Sequence, residues 1–283
     1  MLTDILQNVA ADLTVAAMAT GAGYGLLRHQ NRGLAHLLGA KGDRRILIVL
    51  PDLRVQPGGT AGNHRGTGYV GQAVARNEFE AVVALREMLS SPLARLVGHR
   101  RSGREEPRIG SSGPVEATVM CPPIADLQPA LAAPEPLKAL PGSLSGRSLL
   151  LIGGPAYNHL SDIALKHPAC QAVPELQDGE WGLRLTVGSP RQFYAGRGPA
   201  HSGEIGLIAG FAIEEGGPTV TVCAGSSDIA TRAALTYLQT HRKAITRVAR
   251  GRSYSVLLSV DTVVGTTLWI AVLADGRSVG LPV

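Results

Sequence analysis

The sequence predicts an α/β fold with a mainly parallel sheet that is finished by an antiparallel strand pair. Short apolar runs alternate with amphipathic helical patterns along much of the chain, which is typical of this class. Two of the runs, 149–152 and 220–224, break at glycine and pass straight into a helical pattern. The last two runs, 254–260 and 268–273, follow one another without a helical pattern between them, which indicates two antiparallel strands.

The remaining elements follow from the same periodicities. The first strand is predicted at 45–50, because a continuous apolar run suits a strand that is buried on both faces. A glycine-rich loop then leads to a helix at 72–89, whose apolar residues recur at three-and-four spacing. Segment 98–114 is rich in Gly, Ser, Arg and Glu and is predicted to be a solvated loop. Further strands are predicted at 116–120, 181–187 and 204–213, and further helices at 160–167 and 229–241, with one short helix before 149.

The N-terminal segment 5–27 is an apolar helix with two interpretations. It is a membrane anchor, or it packs on the domain or on a second copy of the chain, so a homo-oligomer is left open. The basic residues that follow it place the rest of the chain in the cytoplasm if the helix spans a membrane. They are Arg28, His29, Arg32, Lys41, Arg44 and Arg45. We therefore divide the chain into an apolar helix with a basic linker, 1–40, and an α/β domain, 41–283, expected at the cell membrane as a single-pass protein or, alternatively, in the cytoplasm.

Composition excludes several function classes. The net charge of +5 is spread along a chain with only 4% aromatic residues, so no nucleic-acid partner is predicted. Three cysteines without CxxC spacing predict neither a disulfide framework nor a zinc site, and Cys223 is interpreted as a small buried hydrophobe. The histidines show no metal-binding spacing. The GxGxxG match at 66–71 begins too far after the first strand for a dinucleotide fold, so no cofactor is predicted.

Polar residues and glycines follow three of the predicted strands at their carboxyl ends. Because the carboxyl ends of parallel strands meet at one edge of a sheet, we expect these turns to form a ligand crevice there. Asn158 either projects toward a ligand or bonds its own backbone, and the serines either hold an anion or cap a helix. Glu78 lies early in the helix that follows the first strand. The candidate ligand-binding residues are Asp52, Arg54, Glu78, Gly153, Gly154, Pro155, Asn158, Gly225, Ser226 and Ser227.

Three functions stay open at this point. The first is a sensor or binding module for a nucleotide-like or other anionic small molecule. The second is a hydrolase or transferase that acts on a nucleotide or glycoside, with Asp52, Glu78 or Asn158 at the reacting bond. The third is a non-catalytic scaffold. A serine nucleophile is disfavoured because the GxSxG pattern is absent.

The chain also resembles a family of uncharacterised bacterial membrane-anchored proteins. The resemblance covers roughly 149–238 and consists of a strand that ends in LIGGPxxN and a later strand VCAG followed by Thr231-x-Ala233-Ala234. Family members carry a glycine where this chain has Ala230. The resemblance implies a Rossmann-like fold and a membrane tether, without implying a reaction.

Overall fold

The computed structural model describes most of the α/β domain. The described residues are 34–35, 37–39, 45–51, 53–54, 72–73, 76–89, 116–155, 157–177, 180–186, 193–195, 203–249, 251–261, 266–274 and 277–279. The predicted N-terminal helix, Asp52, the GxGxxG match and segment 98–114 lie outside them. Within these ranges, no helix combines the length and the apolar composition that a membrane crossing requires.

The domain is built from strands and helices that alternate along much of the chain. The helices are α1 (Arg76–Leu89), α2 (Ile124–Leu131), α3 (His159–Leu165) and α4 (Asp228–Ala249). The strands are β1 (Arg45–Val49), β2 (Leu53–Arg54), β3 (Gln72–Ala73), β4 (Glu116–Met120), β5 (Ser148–Ile152), β6 (Ala172–Gln177), β7 (Glu180–Leu185), β8 (Phe193–Ala195), β9 (Gly203–Ala212), β10 (Thr219–Gly225), β11 (Tyr254–Asp261), β12 (Thr266–Ala274) and β13 (Arg277–Val279). The predicted α/β class is confirmed.

The central sheet has eight strands in the order β13-β12-β11-β9-β10-β5-β1-β4. Strands β4, β1, β5 and β10 are parallel. The predicted antiparallel pair is β11 and β12, and it belongs to a larger antiparallel part that also contains β9 and β13. The physical reason is the short turn between β9 and β10, which Ile213 closes by donating to the carbonyl of Pro218 over 3.1 Å. A turn this short cannot hold the crossover that parallel strands need.

The sheet is covered on both faces, as the continuous apolar runs require. Ile46 and Ile48 of β1 belong to one buried cluster, to which α1 and α4 also contribute. Leu47 and Val49 belong to a second cluster, which includes residues of α2 and α3. Successive side chains of a strand point to opposite faces, so a run that is apolar at every position forms two cores.

Two short sheets accompany the central one. Strands β6, β7 and β8 form an antiparallel meander, of which the sequence predicted only β7. Strands β2 and β3 form a ladder of two residue pairs. Helix α4 extends to Ala249, beyond the predicted end at 241, because Ile245 and Ala249 continue its buried stripe.

The chain joins the domain through a helical turn at Leu34, Leu37 and Leu38, all of which are buried. The turn ends at Gly39, which has a φ of +79° and accepts a hydrogen bond from Ser148 Oγ over 3.1 Å. A Cβ at Gly39 would overlap the side chain of Thr219. This segment is therefore fixed against the amino ends of β5 and β10.

Candidate functional site

The parallel half of the sheet contains a point where the chain direction reverses. Strand β1 continues through α1 to β4 on one side, whereas β5 leads to β10 on the other. Ligands of open α/β sheets bind outside the carboxyl ends of strands at such a point. We call this region the carboxyl edge and define it by the turns at Pro51, Gly153–Gly154 and Gly225 together with the N-terminal ends of α1 and α4.

The three turns meet at this edge. A Cβ atom at Gly153 would lie 3.4 Å from Cγ of Pro51, and one at Gly154 would lie 3.4 Å from the carbonyl oxygen of Gly225. The Gly153 amide donates to the carbonyl of Cys223 over 2.9 Å, which ties β5 to β10 just before their turns. Gly153 has a φ of +92°, a conformation that side-chain-bearing residues rarely adopt. Segments far apart in the sequence thus share one small region.

Asn158 is committed to the protein's own backbone. Its side chain is 4% exposed, and Nδ2 donates to the carbonyls of Ile152 over 2.7 Å and Val49 over 3.4 Å. Its Oδ1 accepts from the amides of Leu160 over 3.1 Å and Ser161 over 3.3 Å. These contacts use both donors and both acceptor sites of the amide. Of the two interpretations, local bonding is the one observed, and Asn158 caps α3 while joining β1 to β5.

The two serines after β10 also make local contacts. Ser226 Oγ accepts from the amide of Ile205 over 3.1 Å, and Ser227 Oγ accepts from the amide of Ala230 over 3.2 Å at the start of α4. Each hydroxyl retains a proton that it can donate. Among the described residues, the backbone amides of Gly154 and Ser227 have no hydrogen-bond partner. The turn therefore offers donors to a bound group even though the serine oxygens are occupied.

Glu78 is the buried ionisable group of the carboxyl edge. It lies in the first turn of α1 with 6% of its surface exposed. Its Oε1 would be 3.6 Å from a Cβ at Gly153. Burial raises the pKa of Glu78 to about 7, the hydrogen bond with Thr231 opposes this shift, and the charge of Asp228 adds to it. Near neutral pH this carboxyl is therefore divided between its acid and its carboxylate forms.

Thr231 connects Glu78 to the start of α4. Its Oγ1 lies 2.9 Å from the carbonyl oxygen of Ser227, to which the hydroxyl donates. A threonine hydroxyl has one proton, so it donates either to the Ser227 carbonyl or to the Glu78 carboxylate, and only the second arrangement lowers the pKa of Glu78. Sequence reasoning quoted Thr231 only within a family pattern, and it did not single out Asp228. The sequence feature that could have pointed to Asp228 and Thr231 is their position in the first turns of a helix that follows a glycine.

Gly225 is required for packing at this edge. A Cβ there would lie 2.6 Å from Cβ of Ala230, so α4 approaches β10 as closely as a glycine permits. Pro155 is half-buried in the turn after Gly154, and Tyr157 beside it is 45% exposed. Arg54 lies in β2, on the chain that leaves β1. The structure thus brings together all the candidate residues that it describes except Arg54, whose side chain is not described.

The thiols and the possible metal ligands do not add to this site. Cys223 is completely buried, and burial raises its pKa, so the thiol stays protonated. In the described part of the chain, no group of three or more His, Cys, Asp or Glu side chains is arranged to hold a metal ion.

Comparison with known proteins gives no relative. No protein-family model matches the chain. No curated protein and no solved structure matches it either. The geometry of the carboxyl edge is therefore the basis for assigning a function.

Proposed function

We propose that this protein is a Rossmann-like small-ligand-binding domain whose ligand lies at the carboxyl edge. The observation that carries the proposal is Glu78, a carboxyl buried where three strand-to-helix connections meet and shifted to a pKa of about 7. Ionisable groups with strongly shifted pKa values concentrate at functional sites. A purely structural role would not need a carboxyl at this depth, since a neutral amide would make the same bond to Thr231.

The ligand class that fits best is nucleotide-like. The carboxyl of Glu78 can accept hydrogen bonds from sugar hydroxyls, and the amides of Gly154 and Ser227 can donate to phosphate or carbonyl oxygens. A simple anion fits less well, because Asp228 adds negative charge to the start of α4. The carboxylates thus favour the hydroxyl-bearing part of a nucleotide over its phosphate as the group nearest to Glu78.

The test is native mass spectrometry of the full-length chain purified from its own host, followed by thermal unfolding with adenosine and AMP as probes. A ligand at one hundred times its Kd stabilises a protein by about 2.7 kcal/mol, which is readily measured. Gly154→Val should abolish this stabilisation, because its side chain would enter the space beside the carbonyl of Gly225. Gly142→Val is the matched control, since an added Cβ there meets nothing within 4 Å.

Three results would contradict the proposal. The first is a ligand response that Gly154→Val leaves intact. The second is a chain that retains no small molecule and is stabilised by neither probe. An effect of Gly142→Val as large as that of Gly154→Val would also count against it, because the response would then not depend on the carboxyl edge.

A second candidate function is a hydrolase or transferase that acts on a nucleotide or glycoside. The observation that favours it is again the pKa of Glu78, because a group that titrates near the working pH suits general acid–base catalysis. Chromatographic analysis of adenosine and AMP after incubation with the full-length chain would detect cleavage. Glu78→Gln should then stop turnover while ligand binding persists, whereas intact probes with normal binding would leave only the binding function.

The membrane tether remains part of the proposal, and it concerns residues 5–27, which lie outside the described ranges. We expect the full-length chain to sediment with membranes, to resist extraction by high salt and to be released by detergent. Release by salt alone would show a surface contact instead of a spanning helix, because salt screens charges but does not expose buried apolar surface.

A further inference from the structure

Helix α4 and the turn after it are basic. From Ile229 to Ser253 the sequence contains no aspartate or glutamate, and Asp228 is the acidic residue in the first turn of α4. The same stretch contains six lysines and arginines, which are Arg232, Arg242, Lys243, Arg247, Arg250 and Arg252. A surface with this excess of positive charge attracts anionic partners.

The exposed positions of α4 lie along one side of the helix. They are Arg232, Thr236, Thr240, Lys243 and Arg247, which recur at three-and-four spacing. We call this side the basic face. It extends for about 22 Å along the helix axis, since each residue adds about 1.5 Å. The hydroxyl of Thr240 donates to the carbonyl of Thr236 over 2.9 Å, so charge is what distinguishes this face.

Two cations of the basic face have no side-chain partner within the described residues. The side chains of Lys243 and Arg247 make neither an ion pair nor a hydrogen bond there. Lys166, by contrast, pairs with Asp162 over 2.7 Å at the end of α3. Like charges one turn apart destabilise a helix slightly, and an anionic surface would remove the repulsion between Lys243 and Arg247.

The second helix on this face of the sheet, α1, exposes apolar side chains. Phe79 and Val83 are 51% and 38% exposed, whereas other residues of α1 share a buried cluster with α4. Nε2 of Gln239 in α4 donates to the carbonyl of Ala81 over 3.4 Å, which links the two helices. Surfaces that lie on a bilayer combine cations, which meet the headgroups, with apolar side chains, which meet the acyl boundary.

The aromatic residue of α4 does not contribute to the basic face. Tyr237 is 4% exposed, and its ring stacks on His241 with 4.1 Å between the ring centres. Proteins that bind single-stranded nucleic acids use exposed aromatic rings on which the bases stack. An anionic lipid surface attracts clustered lysines and arginines through charge alone. The basic face therefore fits a lipid surface better than it fits a nucleic acid.

The N-terminal segment joins the domain on the same side of the sheet. Leu34 belongs to the buried cluster that contains Ile245 and Ala249 of α4. Residues 28–33 separate it from the apolar segment 5–27, and such a connection spans at most about 25 Å. A lipid surface that holds segment 5–27 is therefore within reach of α4.

Exposed carboxylates lie near one end of the basic face. Glu214 and Glu215 are exposed in the turn between β9 and β10, and this turn borders a cavity whose other wall includes Thr246 and Ala249 of α4. The turn belongs to the layer of the sheet, whereas α4 lies on the face of the sheet. The two carboxylates therefore limit the positive surface at this end and do not pair with the cations of the basic face.

We propose that the basic face of α4 binds the anionic headgroups of a phospholipid surface. Lys243 and Arg247 provide the central pair of charges, and the contact orients the folded domain on the lipid. The basic face is distinct from the carboxyl edge, so the contact requires no ligand there. It also does not require segment 5–27 to span the bilayer.

The test is lysine footprinting of the full-length chain with vesicles of phosphatidylcholine and with vesicles that also contain about 30% phosphatidylserine. A water-soluble amine-reactive ester labels the lysines, and mass spectrometry measures the labelling rate of each one. Lys138 and Lys166 are internal controls, because they follow α2 and α3 on the opposite face of the sheet. We expect labelling of Lys243 to be at least about threefold slower with the anionic vesicles, while both controls keep their rates. Salt at about 0.5 M should restore the rate of Lys243, because it screens the attraction.

A pair of variants assigns the protection to the basic face. Arg247→Gln removes one of its cations, and Arg184→Gln is the matched control that changes the net charge by the same amount. Arg184 pairs with Glu175 in the β6–β8 meander, whose Leu185 packs in the cluster on the opposite face. The concentration of anionic vesicles that half-protects Lys243 should rise about fivefold for Arg247→Gln and stay unchanged for Arg184→Gln.

The proposal is overturned if Lys243 is labelled at the same rate with both kinds of vesicle, or if both control lysines are protected as much as Lys243. Equal effects of Arg247→Gln and Arg184→Gln would also overturn it. Protection of Lys243 by single-stranded RNA but not by anionic vesicles would make a nucleic acid the partner instead. Sedimentation of the chain with neutral vesicles reports on segment 5–27, so a failure of the membrane tether is distinguishable from a failure of this proposal.

Discussion

Replacing Glu78 by glutamine should remove a pH dependence of stability that the structure assigns to one side chain. The carboxyl has a pKa of about 7 in the folded protein against an ordinary value of 4.5. The folded state therefore binds a proton more tightly than the unfolded chain does, so the free energy of unfolding falls as the pH rises from about 4.5 to about 7. Below the unfolded pKa both states are protonated and the group contributes no penalty.

The magnitude follows from the difference between the two pKa values. Each pKa unit corresponds to 1.36 kcal/mol, so Glu78 destabilises the fold by at most about 3 kcal/mol at pH 8. Glutamine resembles the protonated carboxyl, because its amide can donate to Thr231 Oγ1 while the threonine donates to Ser227. Glu78→Gln should therefore be more stable than the natural chain by up to about 3 kcal/mol at pH 8.

Urea unfolding of the full-length chain at pH 5 and at pH 8 measures this effect. Glu78→Gln and the natural chain should have similar unfolding free energies at pH 5 and should differ at pH 8. Glu135→Gln is the matched control, because Glu135 is an exposed carboxyl that pairs with Lys138 at the surface. A natural chain that is as stable at pH 8 as at pH 5, or a Glu78→Gln chain with the same pH profile as the natural chain, would refute the reasoning.

Three further predictions concern close packing and hydrogen bonds within the fold. Gly225→Ala should lower the free energy of unfolding in urea by about 2 kcal/mol or more, because its Cβ overlaps the start of α4. Gly154→Ala should lower it by less than about 1 kcal/mol, and equal effects of the two variants would contradict the close approach of α4 to β10. Asn158→Ala should lower the free energy of unfolding by about 2–3 kcal/mol, because it removes the cap of α3 and the hydrogen bonds to the carbonyls of Val49 and Ile152. An unchanged free energy of unfolding would show that these bonds contribute little. Gly210→Ala should lower the free energy of unfolding, because its Cβ overlaps the Tyr254 ring. The double variant Gly210→Ala with Tyr254→Ala should be more stable than the sum of the two single effects predicts, and strictly additive effects would argue against this contact.

The parts of the fold that the sequence predicted are those with a strong local pattern. Strands β1 and β4 begin where predicted, because an apolar run bounded by charged residues or proline has only one good solution. The antiparallel order of β9 and β10 was missed, although the short turn from Ile213 to Pro218 excluded a crossover. Strands β6 and β8 were missed because short strands of mixed composition carry little periodic signal.

The candidate site shows a similar division. The convergence of the Gly153 and Gly225 turns was predictable, because parallel strands place their carboxyl ends at one edge. The hydrogen bonds from Asn158 to the carbonyls of Val49 and Ile152 were not predictable, because they depend on the distance between two strands that are far apart in the sequence. The link between Glu78 and Thr231 likewise arises only when α1 and α4 pack together.

The attachment of the helical turn at Leu34–Leu38 has a consequence for communication. Gly39 fixes this turn to the amino ends of β5 and β10, whereas Glu78 and Gly153 lie at the carboxyl ends, a strand length of roughly 17 Å away. A conformational change at the carboxyl-edge site would therefore reach the segment before Leu34 only by passing along the full length of the central strands.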